Sequence, residues 1–247
     1  LILDNYQKGQ INQTETSLME HRRKKMQKLN VIYEDNHIIV VEKPVNIPSQ
    51  GDKTGDIDML TLVKRYIKEK YNKPGEVYLG LVHRLDRPVG GVMVFARTSK
   101  AAARLSEQVR NKDFKKKYLV IVDGKFKKNK GTLEDYLLKN EKTNTSKVVK
   151  EGTKNAKLAI LDYEVLKYNE EINLSVVKVN LHTGRHHQIR VQMANAGHSI
   201  CGDQKYGTRG RGKQICLWAY ELTILHPITK EEMTFKVLPE FIGGWKQ

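Results

Sequence analysis

A short charged segment lies between two apolar runs in the first half of the chain, and it restricts the fold more than any other feature. The runs are residues 77–82 and 92–96, and both have the length and the β-branched or aromatic content of buried strands. A proline and two glycines between them force a connecting loop. Asp86 therefore lies in a loop that is anchored on both sides in a core. A carboxylate held in this way is either part of a structural ion pair or a functional group of an active or binding site.

The balance of charges points to a polyanionic partner. The chain of 247 residues has 44 Lys and Arg against 28 Asp and Glu, which gives a net charge of +16. Such an excess raises the local concentration of phosphate groups and favours the release of counterions on binding. A membrane partner is not expected, because the chain has neither a run of about 18 apolar residues nor a basic amphipathic helix with aromatic anchors.

The cysteines and the N-terminal composition indicate the compartment and the domain organisation. Cys201 and Cys216 are the only cysteines, and no signal peptide precedes the fold, so a cytoplasmic protein is expected. Residues 1–30 are polar, lack sustained periodicity and carry a basic cluster at 21–25, which predicts a flexible or weakly helical arm. The folded domain is predicted to cover residues 31–247.

Periodicity within this domain predicts an α+β fold with a mixed, mainly antiparallel sheet and flanking helices. Apolar residues at helical spacing follow the candidate N-caps Asp58 and Ser99, and a third helix is predicted over residues 186–196, ended by Gly197. Residues 133–154 are polar and give few strong signals. Alternating or continuous apolar residues predict strands at 31–33, 38–41, 114–122, 157–168, 174–182, 215–225 and 231–237.

A second cluster, of histidines and arginines, surrounds the start of the third predicted helix. His186, His187 and Arg190 share one face of that helix, and Arg185 lies at its start, where exposed N–H groups suit a phosphate. A metal site formed by His182 with the other two histidines is disfavoured, because the neighbouring arginines repel a dication and no acidic ligand is near. A structural cluster of histidines and an anion or RNA site both stay open, and the second is favoured.

The charge pattern alone does not decide the role of Asp86. An ionised carboxylate beside Arg84, Arg87 or the more distant Arg190 can act as a nucleophile toward an electrophilic carbon. It can equally be an inert ion pair that fixes the loop. Tyr118, by itself, is typical of a core tyrosine on a strand.

Five motifs, taken together and in order, resemble those of the RluA-type pseudouridine synthases. The resemblance extends from about residue 30 to residue 239, which is close to the whole folded region. The motifs are an opening strand pair that ends in Lys43-Pro44, the His-Arg-Leu-Asp of residues 83–86, a Lys-Tyr pair at 117–118, the Thr-Gly-Arg-x-His-Gln-Ile-Arg of residues 183–190, and the Gly-Asp-x-x-Tyr-Gly of residues 202–207.

The resemblance implies a pseudouridine synthase fold with a central RNA-binding cleft. It implies that Asp86 is the catalytic aspartate, that Tyr118 stacks on the target uracil near C5, and that Arg190 pairs with the aspartate. The family breaks the C1′–N1 glycosidic bond of uridine, turns the base and rejoins it through C5, and it uses no cofactor and no metal. Whether the aspartate attacks C1′ of the sugar or C6 of the base, or removes a proton from C2′, stays open.

The partner that the resemblance implies is structured RNA, either ribosomal or transfer RNA, and the protein is expected to be a monomer. Lysines before Tyr118 supply affinity for the RNA backbone without reading its sequence. The residues expected to contact RNA are His83, Arg84, Arg87, Lys116, Lys117, Arg185, His187 and Gln188.

The loop departs from the family at one place. The motif usually continues from the aspartate with two variable residues and then Thr-Ser-Gly, whereas Val89, Gly90 and Gly91 stand here. The lost hydroxyl groups change the hydrogen bonds that this loop can form.

Two other functions compete with the isomerase. A non-catalytic RNA-binding protein on the same scaffold, such as a ribosome assembly factor, would not need Asp86, Tyr118 and Arg190 together. A hydrolase of nucleosides or nucleic acid would release free uracil or cut strands, which an assay of the products detects.

Overall fold

The computed structural model describes residues 29–207, 212 and 214–241 of the chain. The predicted basic arm at 1–30 and the glycine-rich stretch 207–213 therefore lie largely outside the described residues.

The described residues form eleven strands and three helices, which confirms the predicted α+β class. In chain order they are β1 (Asn30–Glu34), β2 (Ile38–Lys43), α1 (Met59–Lys70), β3 (Gly80–Leu81), β4 (Gly90–Ala96), α2 (Ser99–Asn111), β5 (Lys115–Asp123), β6 (Lys130–Asn140), β7 (Thr145–Val149), β8 (Lys157–Asn169), β9 (Leu174–Leu181), α3 (Gln188–Asn195), β10 (Leu217–Leu225) and β11 (Glu232–Lys236).

One sheet runs through the domain in the strand order β1-β2-β4-β10-β5-β9-β8-β6-β7, with β11 beside β10 and β3 beside β4. The registered pairs are antiparallel, as short hairpin connections allow, except for a parallel ladder between β4 and β10. That ladder pairs Gly91 with Ala219, and Ala219 pairs in turn with Tyr118 on β5. A single row across the sheet thus joins the end of the Asp86 loop to Tyr118.

Helices cover separate parts of the sheet. One core cluster packs α2 against β2, β4 and β10, with Leu105 of the helix among Ile38, Val94 and Ile224. A smaller cluster places Val191 of α3 with residues of β6 and β8. The long β5 and β9 pair joins these two regions.

The predicted helix boundaries hold to within about two residues. Asp58 caps α1 as predicted, since its Oδ1 accepts a hydrogen bond of 2.9 Å from the N–H of Thr61. The predicted cap of α2 is wrong by one residue, because Thr98 and not Ser99 accepts from the N–H of Ala101, at 3.1 Å. Gly197 follows α3 in the left-handed conformation expected of it, with φ +84°.

The predicted strand at residues 77–82 is wrong except for Gly80 and Leu81. β2 occupies the whole of one edge of β4, so β3 and β10 must share the other edge. β3 pairs with Phe95 and Ala96 near the end of β4, while β10 pairs with its first two residues. The chain therefore leaves the sheet after β3, and this departure creates the Asp86 loop.

The hairpin of β6 and β7 lies mostly within residues 133–154, a stretch with few signals of secondary structure in its sequence. Its strands pair from Tyr136 with Val149 to Asn140 with Thr145, and β6 pairs along its other edge with β8. Contacts with α3 hold it as well, since Gln192 donates to the carbonyl of Leu133. These contacts are distant in sequence, so local composition could not reveal the hairpin.

The close approach of β10 explains why glycine stands at 90, where the family usually has serine, and at 91, where the family also has glycine. Gly91 has φ +126°, and a Cβ built on it would lie 2.1 Å from the carbonyl oxygen of Ala219. A Cβ on Gly90 would lie 2.2 Å from the ring of Trp218. Trp218 thus fills the space that the serine of the family motif would need.

We expect that Gly90→Ser, which restores the usual residue of the motif, lowers the free energy of unfolding by about 1–3 kcal/mol, because it overpacks the side chain against the Trp218 ring. Urea denaturation measures this. Gly75→Ser is the control, since that position is open. In a double-mutant cycle, Gly90→Ser with Trp218→Leu should be more stable than the sum of the single effects predicts. Strict additivity would contradict this account.

Candidate active site

The loop that carries Asp86 is fixed to the core by Ser49. The hydroxyl of Ser49 donates to the carbonyl of Leu85 at 2.7 Å and accepts from the N–H of the same residue at 3.0 Å. On the other side, the N–H of Val89 donates to the carbonyl of Asp86 at 3.0 Å. Asp86 is therefore held between a buried anchor and a tight turn.

Lys43 is a second anchor of the same loop. Its side chain is fully buried, and its ammonium group donates to the carbonyls of Pro44, Arg87 and Val89 at 3.0, 3.0 and 2.7 Å. Burial lowers the pKa of Lys43 to about 7, against the opposing effect of the negative charge on Asp86. Two of its three acceptors lie within the three residues that follow Asp86, so this lysine fixes the path of the backbone as it leaves the carboxylate.

Arg190 contacts Asp86 from a position more than 100 residues away in the chain. Its Nη1 lies 3.2 Å from Oδ2 of Asp86, while Nε and Nη2 form a two-pronged pair with Asp203, each at 2.7 Å. The side chain of Arg190 is 5% exposed, and that of Asp86 is 31% exposed. The guanidinium thus supports the carboxylate from inside, and Asp86 keeps an open side.

Asp203 fixes the guanidinium in this orientation. Its buried Oδ1 also accepts from the N–H of Lys205 at 2.9 Å. Burial alone would raise the pKa of Asp203, but the hydrogen bonds and charge of Arg190 outweigh it and hold the pKa below its usual value. Asp203 is therefore an anion at neutral pH.

Tyr118 lies in the same region, as the sheet register requires. It is 6% exposed, and burial and the negative charge of Asp86 both raise the pKa of its hydroxyl. The phenol is therefore neutral at physiological pH. The structure thus brings Asp86, Tyr118 and Arg190 together.

His187 also reaches the carboxylate. Its Nε2 lies 3.5 Å from Oδ2 of Asp86, and its ring stacks on that of His186 with 3.8 Å between the centroids. Burial lowers the pKa of His187 to about 3, so the ring is neutral. The sequence predicted an RNA contact here, whereas the buried ring faces Asp86.

Two residues predicted to bind RNA have polar groups that bond to other protein groups in the structure. Lys117 points to the face of β5 opposite Tyr118, because side chains alternate along a strand, and its ammonium pairs with Glu221 at 2.6 Å. Gln188 is 3% exposed. Its amide accepts from Thr183 at 2.7 Å and donates to Gln192 at 3.0 Å, so its polar groups are used within the protein.

Two other residues predicted to contact RNA form most of their hydrogen bonds with protein groups. Arg87 donates to Thr54 and Asp56, each at 2.7 Å, and so holds the preceding loop rather than Asp86. The Nε2 of His83 accepts from the N–H of Val94 at 3.1 Å, and burial lowers the pKa of His83 to about 3. Both residues therefore shape the loop.

Three of the predicted RNA contacts remain accessible. Arg84 and Arg185 are exposed, and Arg185 uses its Nε to donate to the carbonyl of Leu158 at 2.8 Å. Lys116 is half-buried and lies on the same face of β5 as Tyr118. Arg84, Arg185 and Lys116 are together called the basic rim, and this rim is the candidate RNA surface.

The three histidines of the disfavoured metal alternative have different partners in the structure. His182 pairs with Asp162 at 2.6 Å, whereas Nδ1 of His186 lies 2.9 Å from the hydroxyl of Ser146. Among the described residues, no three His, Cys, Asp or Glu side chains are close enough to hold a metal ion.

Within the part of the chain that the structure describes, none of the helices is long and apolar enough to cross a membrane.

Sequence reasoning missed the supporting residues Lys43, Asp203 and Tyr206. All three lie in motifs that carried the resemblance, but no pattern in the sequence indicated what their side chains contact. Only the motif itself could have marked them as candidates.

The comparisons with known proteins place this chain in a family. A family model described as RNA pseudouridylate synthase matches residues 37–195. An uncharacterised RNA pseudouridine synthase of Aquifex aeolicus is 35% identical over 222 residues, which are 85% of this chain and 69% of that protein. The dual-specificity RNA pseudouridine synthase RluA of Haemophilus influenzae is 33% identical over 219 residues, which are 86% of this chain and 94% of that protein.

A solved structure agrees on the fold. The human RNA pseudouridylate synthase domain containing 4 superposes with a TM-score of 0.73 at 23% identity, covering 87% of this chain and 90% of that one. The chain therefore belongs to the RNA pseudouridine synthases, which are isomerases. Within that class it is a member of the RluA-type family, as its motifs predicted.

We expect that Asp203→Ala lowers the free energy of unfolding by about 3–5 kcal/mol, because it leaves the buried guanidinium of Arg190 without its principal partner. Urea denaturation at neutral pH measures the loss. Asp162→Ala is the matched control, since it breaks an exposed pair with His182 and should cost about 1 kcal/mol or less. Equal losses in the two variants would show that the buried pair contributes no more to the free energy of unfolding than the exposed pair does.

Proposed function

We propose that residues 31–247 form a catalytic domain that isomerises specific uridines of structured RNA, ribosomal or transfer, to pseudouridine, with Asp86 as the catalytic residue. The observation that carries this proposal is the contact of Asp86 with Arg190 at 3.2 Å on an otherwise accessible carboxylate, beside Tyr118. A carboxylate with one open side, supported from inside by a fixed cation, is suited to react with a nucleotide that enters the cleft.

The reaction conserves all atoms. The C1′–N1 bond breaks, a C1′–C5 bond forms, C5 loses a proton and N1 gains one. The target base must first leave its stack, at a cost of a few kcal/mol. Tyr118 can recover part of that cost by contact with the base. Because the tyrosine is 6% exposed, we assign it to the floor of the uracil site.

RNA affinity comes from the basic rim and from the charge of the whole chain. Arg84, Arg185 and Lys116 are accessible cations in or beside the motifs, and the net charge is +16. Such contacts bind phosphates and do not read bases, so binding should weaken steeply with salt. We propose that the protein acts in this way as a monomer in the cytoplasm, without a metal or a cofactor.

The proposal is tested with Asp86→Asn, which keeps the shape of the side chain and removes its charge. We expect pseudouridine formation to fall by at least about 10³-fold, because the reacting group is lost. The assay maps pseudouridine in cellular RNA treated with the pure protein, and RNA affinity is measured separately and should change little. Asp162→Asn, on an exposed carboxylate paired with His182, should keep wild-type activity.

Appreciable turnover by pure Asp86→Asn would refute the role of Asp86. A wild-type protein that binds RNA but forms no pseudouridine would instead favour a non-catalytic binding protein. Release of free uracil or cutting of strands would indicate a hydrolase. A pseudouridine map of a deletion strain against wild type then identifies the target uridine.

We also expect that Arg190→Ala lowers activity by about 10²-fold or more while RNA affinity changes little, because the side chain supports Asp86 and is 5% exposed. Filter binding and single-turnover kinetics on the same RNA separate the two quantities. An affinity that collapses along with the activity would make Arg190 a binding residue.

A further inference from the structure

A chain of three polar contacts leads from the backbone of β7 to Asp86. The N–H of Ser146 donates to the hydroxyl oxygen of Tyr206 at 2.7 Å, and that hydroxyl lies 2.8 Å from Nδ1 of His187. The Nε2 of His187 lies 3.5 Å from Oδ2 of Asp86. We propose that His187 is a neutral hydrogen-bond donor to Asp86, and that Tyr206 is the positioning residue that fixes its tautomer. This inference rests on the proposed function and extends it.

The assignment of hydrogens follows from what each group can donate. The hydroxyl of Tyr206 already accepts from Ser146, and its single hydrogen is free to point at Nδ1 of His187. A neutral imidazole that accepts at Nδ1 carries its hydrogen on Nε2, toward Asp86. The other tautomer would direct the lone pair of Nε2 at a carboxylate. Only the first arrangement gives each contact one donor and one acceptor.

Burial, more than the surrounding charges, keeps His187 in the neutral form. Burial is the largest effect and lowers its pKa, Asp86 opposes it, and the positive charges of Arg190, His186 and Lys205 add to it, with a net pKa of about 3. Asp86 therefore receives one charged donor, from Arg190, and one neutral donor, from His187.

The backbone of His187 is shaped for this contact. It has φ +54°, in the left-handed region, at the residue before α3, and its side chain forms no cap to the helix. That conformation is uncommon for residues other than Gly, although His, like Asn and Asp, adopts it more often than most, and it occurs here at the residue whose ring contacts Asp86. Tyr206 packs edge-on against the ring, with 5.5 Å between centroids.

The distance of 3.5 Å from Nε2 of His187 to Oδ2 of Asp86 is long for a hydrogen bond. Hydrogen bonds of catalytic groups are often long before the substrate binds and shorten in the complex.

One turn supports both donors of the carboxylate. Asp203 holds Arg190, and Tyr206, three residues later, holds His187. Oδ1 of Asp203 accepts from the N–H of Tyr206 at 3.3 Å, and its carbonyl accepts from the N–H of Gly207 at 3.0 Å, so the turn is closed on itself. The Asp203–Tyr206 turn is therefore the outer support of the site.

The tautomer is tested first, without any need for activity. Long-range ¹H–¹⁵N spectra of the wild-type protein with ¹⁵N-labelled histidine should show His187 protonated at Nε2, bare at Nδ1, and unchanged between about pH 5.5 and 8. The His187→Gln spectrum identifies its signals by their absence. In Tyr206→Phe, which keeps the ring and removes the hydroxyl, the Nδ1 signal should shift as its donor is lost. A hydrogen on Nδ1, or titration in this range, would overturn the proposal.

Two substitutions of His187 then separate a donor role from a merely structural one. The amide of glutamine can place an N–H near the position of Nε2, whereas that of asparagine is too short to do so. Asparagine, however, tolerates the left-handed backbone better than glutamine does. We expect His187→Asn to lose about 10–100-fold in kcat with little change in KM, and His187→Gln to recover about tenfold of that loss. Asparagine as the more active variant would refute the donor role.

Tyr206→Phe should lower kcat by about tenfold with KM nearly unchanged, since the residue acts through His187. Tyr136→Phe is the matched control, because that hydroxyl bonds to the exposed Glu151 and should leave activity unchanged. Equal activity of Tyr206→Phe and wild type would refute the positioning role. A wild-type protein without pseudouridine synthase activity would refute the proposed function, and the spectra would still decide the tautomer.

Discussion

The buried guanidinium of Arg190, shared by Asp86 and Asp203, is the interaction on which the rest of the site depends. Taking a charge out of water is costly, and the cost is met only where geometry is close to ideal. The planar fork of arginine satisfies this condition, because two of its nitrogens pair with Asp203 and leave the third for Asp86. A lysine could not divide its charge in this directed way. The pair with Asp203 thus makes the contact with Asp86 a fixed one, while Asp86 itself stays accessible.

The sheet places the partners of that arginine. The short parallel ladder between β4 and β10 brings the end of the Asp86 loop into one row with Tyr118, and it requires the close approach that Gly91 allows. Because β3 and β10 share one edge of β4, the chain leaves the sheet after β3 and forms the loop. Lys43 then holds the loop by its carbonyls. The Asp86 carboxylate therefore rests on backbone contacts whose geometry permits little variation.

The residues beside a motif did not all share its role. Lys117 and Lys116 are neighbours in sequence, but the alternation of a strand sends one to Glu221 and the other to the face of Tyr118. His187 and Gln188 follow each other as well. The first turns to Asp86 through a left-handed backbone, and the second is buried among other amides. Because these residues are neighbours in sequence, they were all predicted to lie on one RNA-binding surface. In the structure their side chains point in different directions.

The sequence by itself determined the α+β class, most of the strands, the capped helices, the basic character of the chain and the family, because these depend on periodicity, composition and the order of motifs. It also indicated Asp86, Tyr118 and Arg190 through that family. Only the tertiary structure decided which groups support them, since Asp203, Tyr206 and Lys43 act through contacts between segments far apart in the chain. The β6–β7 hairpin was hidden for the same reason. Side-chain direction and long-range register are properties of the packed sheet, and no local pattern encodes them.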